Sequence, residues 1–336
     1  MPRPLFALLL LAAASTASAQ SPPAPVQHVV TRVLAHAESL SLFRNRIDWP
    51  ATRAEVRRLA DTAQTIPGLA PALRHLIRTL GDEHARVFHG GRPLAYYYGP
   101  PKPHLAGFDP AIFSQVQSAT AFPFRAELAA PTVGYLRIVG LPMGDNSAMA
   151  REIESAACAL HAQGARQWII DLRYNGGGNL NPMAEGIAAI IGDGPVGGRA
   201  GLTPGEAGAW TIERGDFVNE GYSVHLPNGC TMALGSKVAV LTSLYTASSG
   251  EALAVMFKSR PNTRFFGSKT LGMITVTDWT VIDDSTALTI SVGYYRDRTG
   301  RVYDQFVDVD EEVPFAPSSG LDADVAVRRA LAWLRR

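Results

Sequence analysis

The pattern that most constrains this chain begins at Thr132, where short apolar runs start to alternate with helical periodicities. Residues 167–172 (QWIIDL) and 237–242 (KVAVLT) read as buried strands, and 133–139 as a third. Helical stretches lie between them: 148–164, with Ile153, Ala157 and Leu160 on one face, then 183–191 and 249–258. Residues 264–266, 274–277 and 287–295 add strands, the last with alternating character, and 322–335 closes the chain as a helix. Strands and helices in alternation each have a face to bury, which dictates a layered α/β core.

The N-terminal part has a different texture. Between residues 27 and 80, Val29, Val33, Leu34, Val56, Leu59, Leu73, Leu76, Ile77 and Leu80 recur at helical spacings, interrupted at Trp49-Pro50 and Pro67-Gly68. This predicts a small bundle of three helices. Residues 90–131 carry Pro93, Pro100, Pro101, Pro103, Pro110 and Pro123 and read as an irregular connector. Residues 1–19 read as an export signal: Arg3, an apolar run from Leu5 to Ala14, then Ala17-Ser18-Ala19. That run is too short for a bilayer core of about 30 Å. The expected organisation is therefore a signal at 1–19, a helical domain at 20–89, a connector at 90–131 and a core at 132–336. The mature protein is expected to be periplasmic or secreted, with no membrane span.

Composition removes several functional classes. Lys and Arg number 31 against 30 Asp and Glu, so the basic stripe that nucleic acid requires is missing. Two cysteines exclude a disulfide scaffold and a four-cysteine zinc site. Whether Cys158 and Cys230 pair is left open by the sequence.

Three segments carry chemistry. Asp171-Leu-Arg-Tyr-Asn-Gly-Gly-Gly178 ends a buried strand with three glycines, which let a backbone approach a ligand closely and turn N–H groups toward negative charge. It matches neither the phosphate loop nor the dinucleotide fingerprint. Tyr245-Thr-Ala-Ser248-Ser249-Gly-Glu251 follows the strand KVAVLT and opens a helix. Ser248 has two readings: a nucleophile displayed beside helix N-terminal amides, or a plain N-cap with Glu251 completing a capping box. Asp82-Glu83-His84 lies where the helical bundle ends and offers a histidine base. The spacing of His84 and His89 with Asp82 and Glu83 fits no helical zinc motif, and no metal is expected.

Taken together, Asp82-x-His84, DLRYNGGG, TASSGE and FFGSKTLG resemble peptidase family S41, the C-terminal processing (tail-specific) peptidases with the tricorn core protease. The resemblance runs from Leu80 to the C-terminal helix. It implies an α/β fold with a ClpP/crotonase-like layered core behind the small N-terminal helical bundle. It also implies Ser248 as nucleophile and an oxyanion hole from the amides of Gly178 and Ser249, with Gly177 supporting that loop. The lysine base of the processing branch is replaced here by Met273, and Lys269 sits at a position without that role. His84 matches the histidine base of the tricorn-like branch, and Asp304 its acidic partner. About fifty residues separate His84 from the first core strand, too few for the PDZ domain of many tail-specific members. The implied activity is a serine endopeptidase acting on exported peptides or unfolded protein without a cofactor. The same scaffold also serves as a secreted small-ligand-binding protein, the alternative reading.

Overall fold

The computed structural model describes residues 24–118, 121–226, 230, 232, 235–318 and 320–336; the export signal expected at 1–19 lies outside them. Its centre is a six-stranded sheet. The strands run in the order Glu311–Glu312, Thr263–Gly267, Val238–Thr242, Gln167–Asp171, Val133–Arg137, Arg125–Ala130, parallel except for the last pair. Parallel strands need crossover helices, which here cover one face while the closing helix covers the other, so the runs are apolar without alternation. Trp168, Ile170, Val238 and Val240 face helices Asn146–Ala162 and Ser249–Phe257. Tyr135, Ile169, Ala239 and Leu241 face the closing helix Val325–Leu334.

A second, antiparallel sheet of nine strands is organised around the long strand Thr286–Asp297. That strand pairs with Arg86–His89 and Gly194–Ala200, and also with Thr275–Val281. The three predicted N-terminal helices are present as Ala24–Leu40, Trp49–Ala60 and Ala70–Leu80. Their apolar faces form one cluster with Val87, Ala95, Leu288 and Ile290, so the bundle shares its core with this sheet.

Two expectations change. The stretch 90–131 contains regular elements: strand Arg92–Tyr96, helix Pro110–Ser118 and strand Arg125–Ala130. The prolines are compatible with them for positional reasons. Pro93 sits on the outermost strand beside a bulge, where a missing N–H is tolerated. Pro110 occupies the first turn of its helix, where no intrahelical donor is needed. The expected boundary at residue 89 also falls inside a hairpin, between Arg86–His89 and its partner Arg92–Tyr96. The cysteine question is settled: Cys158 and Cys230 form a disulfide. No helix among the described residues is long and apolar enough to cross a membrane.

Candidate active site

The serine loop is fastened to the glycine loop by short hydrogen bonds. Ser243 Oγ donates to Arg173 O at 2.6 Å, Thr246 Oγ1 donates to Leu172 O at 2.8 Å, and the Ala247 amide donates to Asn175 O at 2.9 Å. These bonds deliver Ser248 to the rim of the sheet with φ +54° and ψ −121°. A non-glycine residue in that region stores strain of about 1–3 kcal/mol and persists only when its surroundings fix it. Glu251 supplies part of that fixing. Its Oε2 accepts from the Ser248 amide at 2.9 Å, while Oε1 accepts from Thr270 Oγ1 at 2.5 Å and the Gly272 amide at 2.8 Å. Burial pushes the Glu251 carboxyl up to about 7 against the pull of those three donors. The phenol of Tyr295, fully enclosed beside Ser248 and Glu251, is pushed above its ordinary range by burial.

The structure shows where Ser248 sits relative to each reading. It precedes the helix Ser249–Phe257 in the N-cap position, and its Oγ lies 2.8 Å from His84 Nε2.

The glycines are sterically required. Gly177 has φ +100°, and a Cβ there would lie 2.7 Å from Ser248 Cβ. Gly178 has φ +109°, and a Cβ would lie 2.1 Å from Leu141 O. The Gly177 amide is committed to Asn175 Oδ1 at 3.0 Å. The amides of Gly178 and Ser249 donate to no group among the described residues. Their residues are tied by Ser249 Oγ, which donates to Gly178 O at 2.6 Å. Behind this loop, buried Arg173 forks onto Asp171 (2.7 Å) and Asp324 (2.8 Å). Asp324 also caps the closing helix through the amides of Ala326 and Val327. The charged residues of the DLR segment are therefore structural.

His84 is positioned by the end of a helix. Ala70–Leu80 stops at Gly81, whose φ of +67° is the left-handed cap conformation. Asp82 then folds back: its Oδ1 accepts from the amides of His84 and Ala85, both at 3.1 Å, and its Oδ2 from the Ser291 amide at 2.9 Å. Burial holds the Asp82 carboxyl above its ordinary range, and these bonds offset that only in part. His84 Nδ1 meets Thr275 Oγ1 at 2.9 Å, Thr275 Oγ1 meets Ser291 Oγ at 2.8 Å, and Ser291 Oγ donates to Asp82 Oδ1 at 2.8 Å. Burial, with the cations Arg86 and Lys102 nearby, lowers His84 to about 4, so the imidazole is neutral and able to accept a proton near pH 7.

The structure thus brings Ser248, His84, Gly177, Gly178 and Ser249 together. Asp304 is exposed and lines a cavity of about 410 Å³ beside His84, with Lys102, Met273 and Thr275. It makes no hydrogen bond to His84 among the described residues; the Nδ1 position expected for it is taken by Thr275. Lys102 is paired with Glu83 at 2.9 Å, and Lys269 stacks over Phe306. Thr275 and Ser291 escaped the sequence reading because a hydroxyl residue on a strand carries no distinguishing signal.

Residues 132–313 match the family model of Peptidase family S41, and they make up more than half of the chain. The chain belongs to this family. The match takes in Ser248 and the glycine loop and leaves out Asp82 and His84. The Nisin-resistance protein of Lactococcus lactis subsp. lactis is 25% identical over 324 residues, 94% of this chain and 88% of that protein. The chloroplastic C-terminal processing peptidase of Tetradesmus obliquus is 22% identical over 65% of this chain and 41% of its own length. Among solved structures, a lipoprotein from Streptococcus agalactiae superposes with a TM-score of 0.67 at 17% identity, covering 98% of this chain and 99% of its own. The photosystem II D1 C-terminal processing protease superposes at 0.55 with 15% identity, covering 91% and 97%. These superpositions show a shared fold over nearly the whole chain, beyond the matched residues 132–313.

Proposed function

We propose that the protein is an exported serine peptidase that cleaves peptides or unfolded protein through an acyl-enzyme. The observation that carries this reading is the 2.8 Å approach of Ser248 Oγ to the neutral His84 Nε2. A serine hydroxyl is a weak nucleophile until a base takes its proton, and this contact is within proton-transfer reach. In the proposed sequence, Ser248 Oγ attacks the peptide carbonyl carbon while His84 accepts its proton. The carbonyl oxygen turns toward the unengaged amides of Gly178 and Ser249, whose hydrogen bonds strengthen as negative charge develops. The imidazolium then protonates the departing amine. Water, deprotonated by His84, releases the acid product and restores Ser248.

Export is supported by the leader pattern in residues 1–19 and by the Cys158–Cys230 disulfide, which fits an oxidising compartment. The test is a mass-spectrometric search for new termini after incubating the mature protein with a mixture of unstructured peptides, beside Ser248→Ala. Cleavage by the wild type that disappears in the variant is expected. No cleavage by a well-folded wild type would move the reading to a secreted ligand-binding protein.

A further inference from the structure

We infer that Asp82 is the carboxylate that orients and supports His84, acting at a distance through the hydroxyls of Thr275 and Ser291. This deepens the peptidase reading and rests on it for its catalytic consequence, though the geometry stands independently.

The argument follows hydrogen-bond direction. For His84 Nε2 to accept the Ser248 hydroxyl proton, the ring hydrogen must sit on Nδ1. Nδ1–H then donates to Thr275 Oγ1 at 2.9 Å. With that oxygen accepting, the Thr275 hydroxyl donates to Ser291 Oγ at 2.8 Å. The Ser291 hydroxyl in turn donates to Asp82 Oδ1 at 2.8 Å. Both oxygens of Asp82 already accept backbone amides, so the Ser291 hydroxyl gives its hydrogen to Oδ1 and the chain has one consistent direction from Ser248 to Asp82. The Thr275 and Ser291 hydroxyls are each used once as acceptor and once as donor.

The surroundings fit this role. Asp82, Thr275 and Ser291 are all buried, so the chain is shielded from competing water. Asp82 is held by three backbone amides as well as the Ser291 hydroxyl. The same carboxylate also fixes the His84 backbone, two residues on. The cavity beside the imidazole also carries Arg46, Glu83, Lys102 and Asp304, with Arg86 nearby, and Lys102 is paired with Glu83. The nearby cations oppose the imidazolium, whereas a carboxylate at the far end of an aligned hydroxyl chain favours it. When Ser248 gives its proton to Nε2, the two hydroxyl dipoles already point the right way and need not reorganise.

Asp82, Thr275 and Ser291 are therefore positioning residues. The test uses Thr275→Val, which keeps the branched shape of a strand residue and removes only the hydroxyl, with Thr275→Ser as the conservative rescue. Two readouts are taken on the mature protein: the second-order rate of Ser248 labelling by a fluorophosphonate as a function of pH, and the imidazole 15N shifts of His84. The wild type should show a single Nδ1–H tautomer. Thr275→Val should mix the tautomers, slow labelling on the order of 10²-fold and move the pH midpoint lower, while Thr275→Ser restores tautomer and rate. Asp82→Asn should mix the tautomers as well. A wild-type Nε2–H tautomer, or Thr275→Val with unchanged tautomer and rate, overturns the relay. If the wild type does not label at all, the peptidase reading fails, and the 15N shifts alone decide the relay.

Discussion

Ser248 and His84 meet at 2.8 Å, yet they are held by different kinds of structure. Ser248 stands on a loop between a parallel strand and the helix that follows it, fastened to the neighbouring strand's loop by Ser243, Thr246 and Ala247. Most of what shapes it comes from two βα connections of one sheet, with Glu251 anchored further to Thr270 and Gly272 on the segment after strand Thr263–Gly267, and the amides of Gly178 and Ser249 come with those two loops. His84 stands at the end of an N-terminal helix, outside the segment that matches the family model. It is oriented by Thr275 and Ser291, from two strands of the other sheet. The side of the proposed nucleophile is thus intrinsic to the layered core, whereas the side of the proposed base exists only where the helical segment docks on the antiparallel sheet.

Substitutions can break this comparison, beginning with the largest effect. Ser248→Ala and His84→Ala should each lower peptide hydrolysis by about 10⁴-fold or more, and combining them should add little, because the two side chains act as one unit. Steady-state hydrolysis by single and double variants checks this; independent, multiplying losses would separate the two halves.

Next, Arg173→Ala should destabilise the fold by about 3–5 kcal/mol, since it leaves Asp171 and Asp324 as buried carboxylates without their cation. Chemical denaturation measures it. The nucleophile side should loosen first, seen as faster amide exchange at residues 243–248 than at Arg86–His89.

Replacing both cysteines by serine removes the link between helix Asn146–Ala162 and Cys230, which closes a sequence separation of 72. A loss of about 2–4 kcal/mol is expected from denaturant midpoints, with His84 and Ser248 still in contact.

The pH dependence is smaller but has a definite sign. His84 must be neutral to act, and its folded value of about 4 lies below the ordinary 6.5. The labelling rate should therefore rise through about pH 4 and be flat by neutrality. Stability should fall as pH drops from 6.5 toward 4, because the unfolded chain takes up the proton first. A rate that still climbs between pH 6 and 8 contradicts this. The smallest effect is expected of Asp304→Asn: with Nδ1 on Thr275, an exposed charge in the same cavity should alter the rate by less than about threefold.

The sequence carried the nucleophile side well because its signals are local. A buried strand, a turn with Ser248 and a capping Glu251 fall within fifteen residues, and the glycine triplet announces a close backbone approach that Gly177 and Gly178 indeed make. The α/β alternation likewise reports both faces of the parallel sheet. The base side was less legible. His84 was marked by family resemblance, but its contact to Thr275 spans 191 residues, and the bond from Ser291 to Asp82 spans 209. A hydroxyl on a strand looks the same whether it faces solvent or an imidazole, and Asp304 drew attention only by its place in the order of motifs. The elements within 90–131 were obscured by prolines that sit where an edge strand or a helix start accepts them.

The most direct test of the central claim, that His84 activates Ser248 in the folded protein, is intact-mass labelling of the mature chain with a fluorophosphonate. A single adduct on the wild type, absent in Ser248→Ala and strongly slowed in His84→Ala, is the predicted result. An adduct that forms at the same rate without His84, or no adduct on folded wild type, would contradict it.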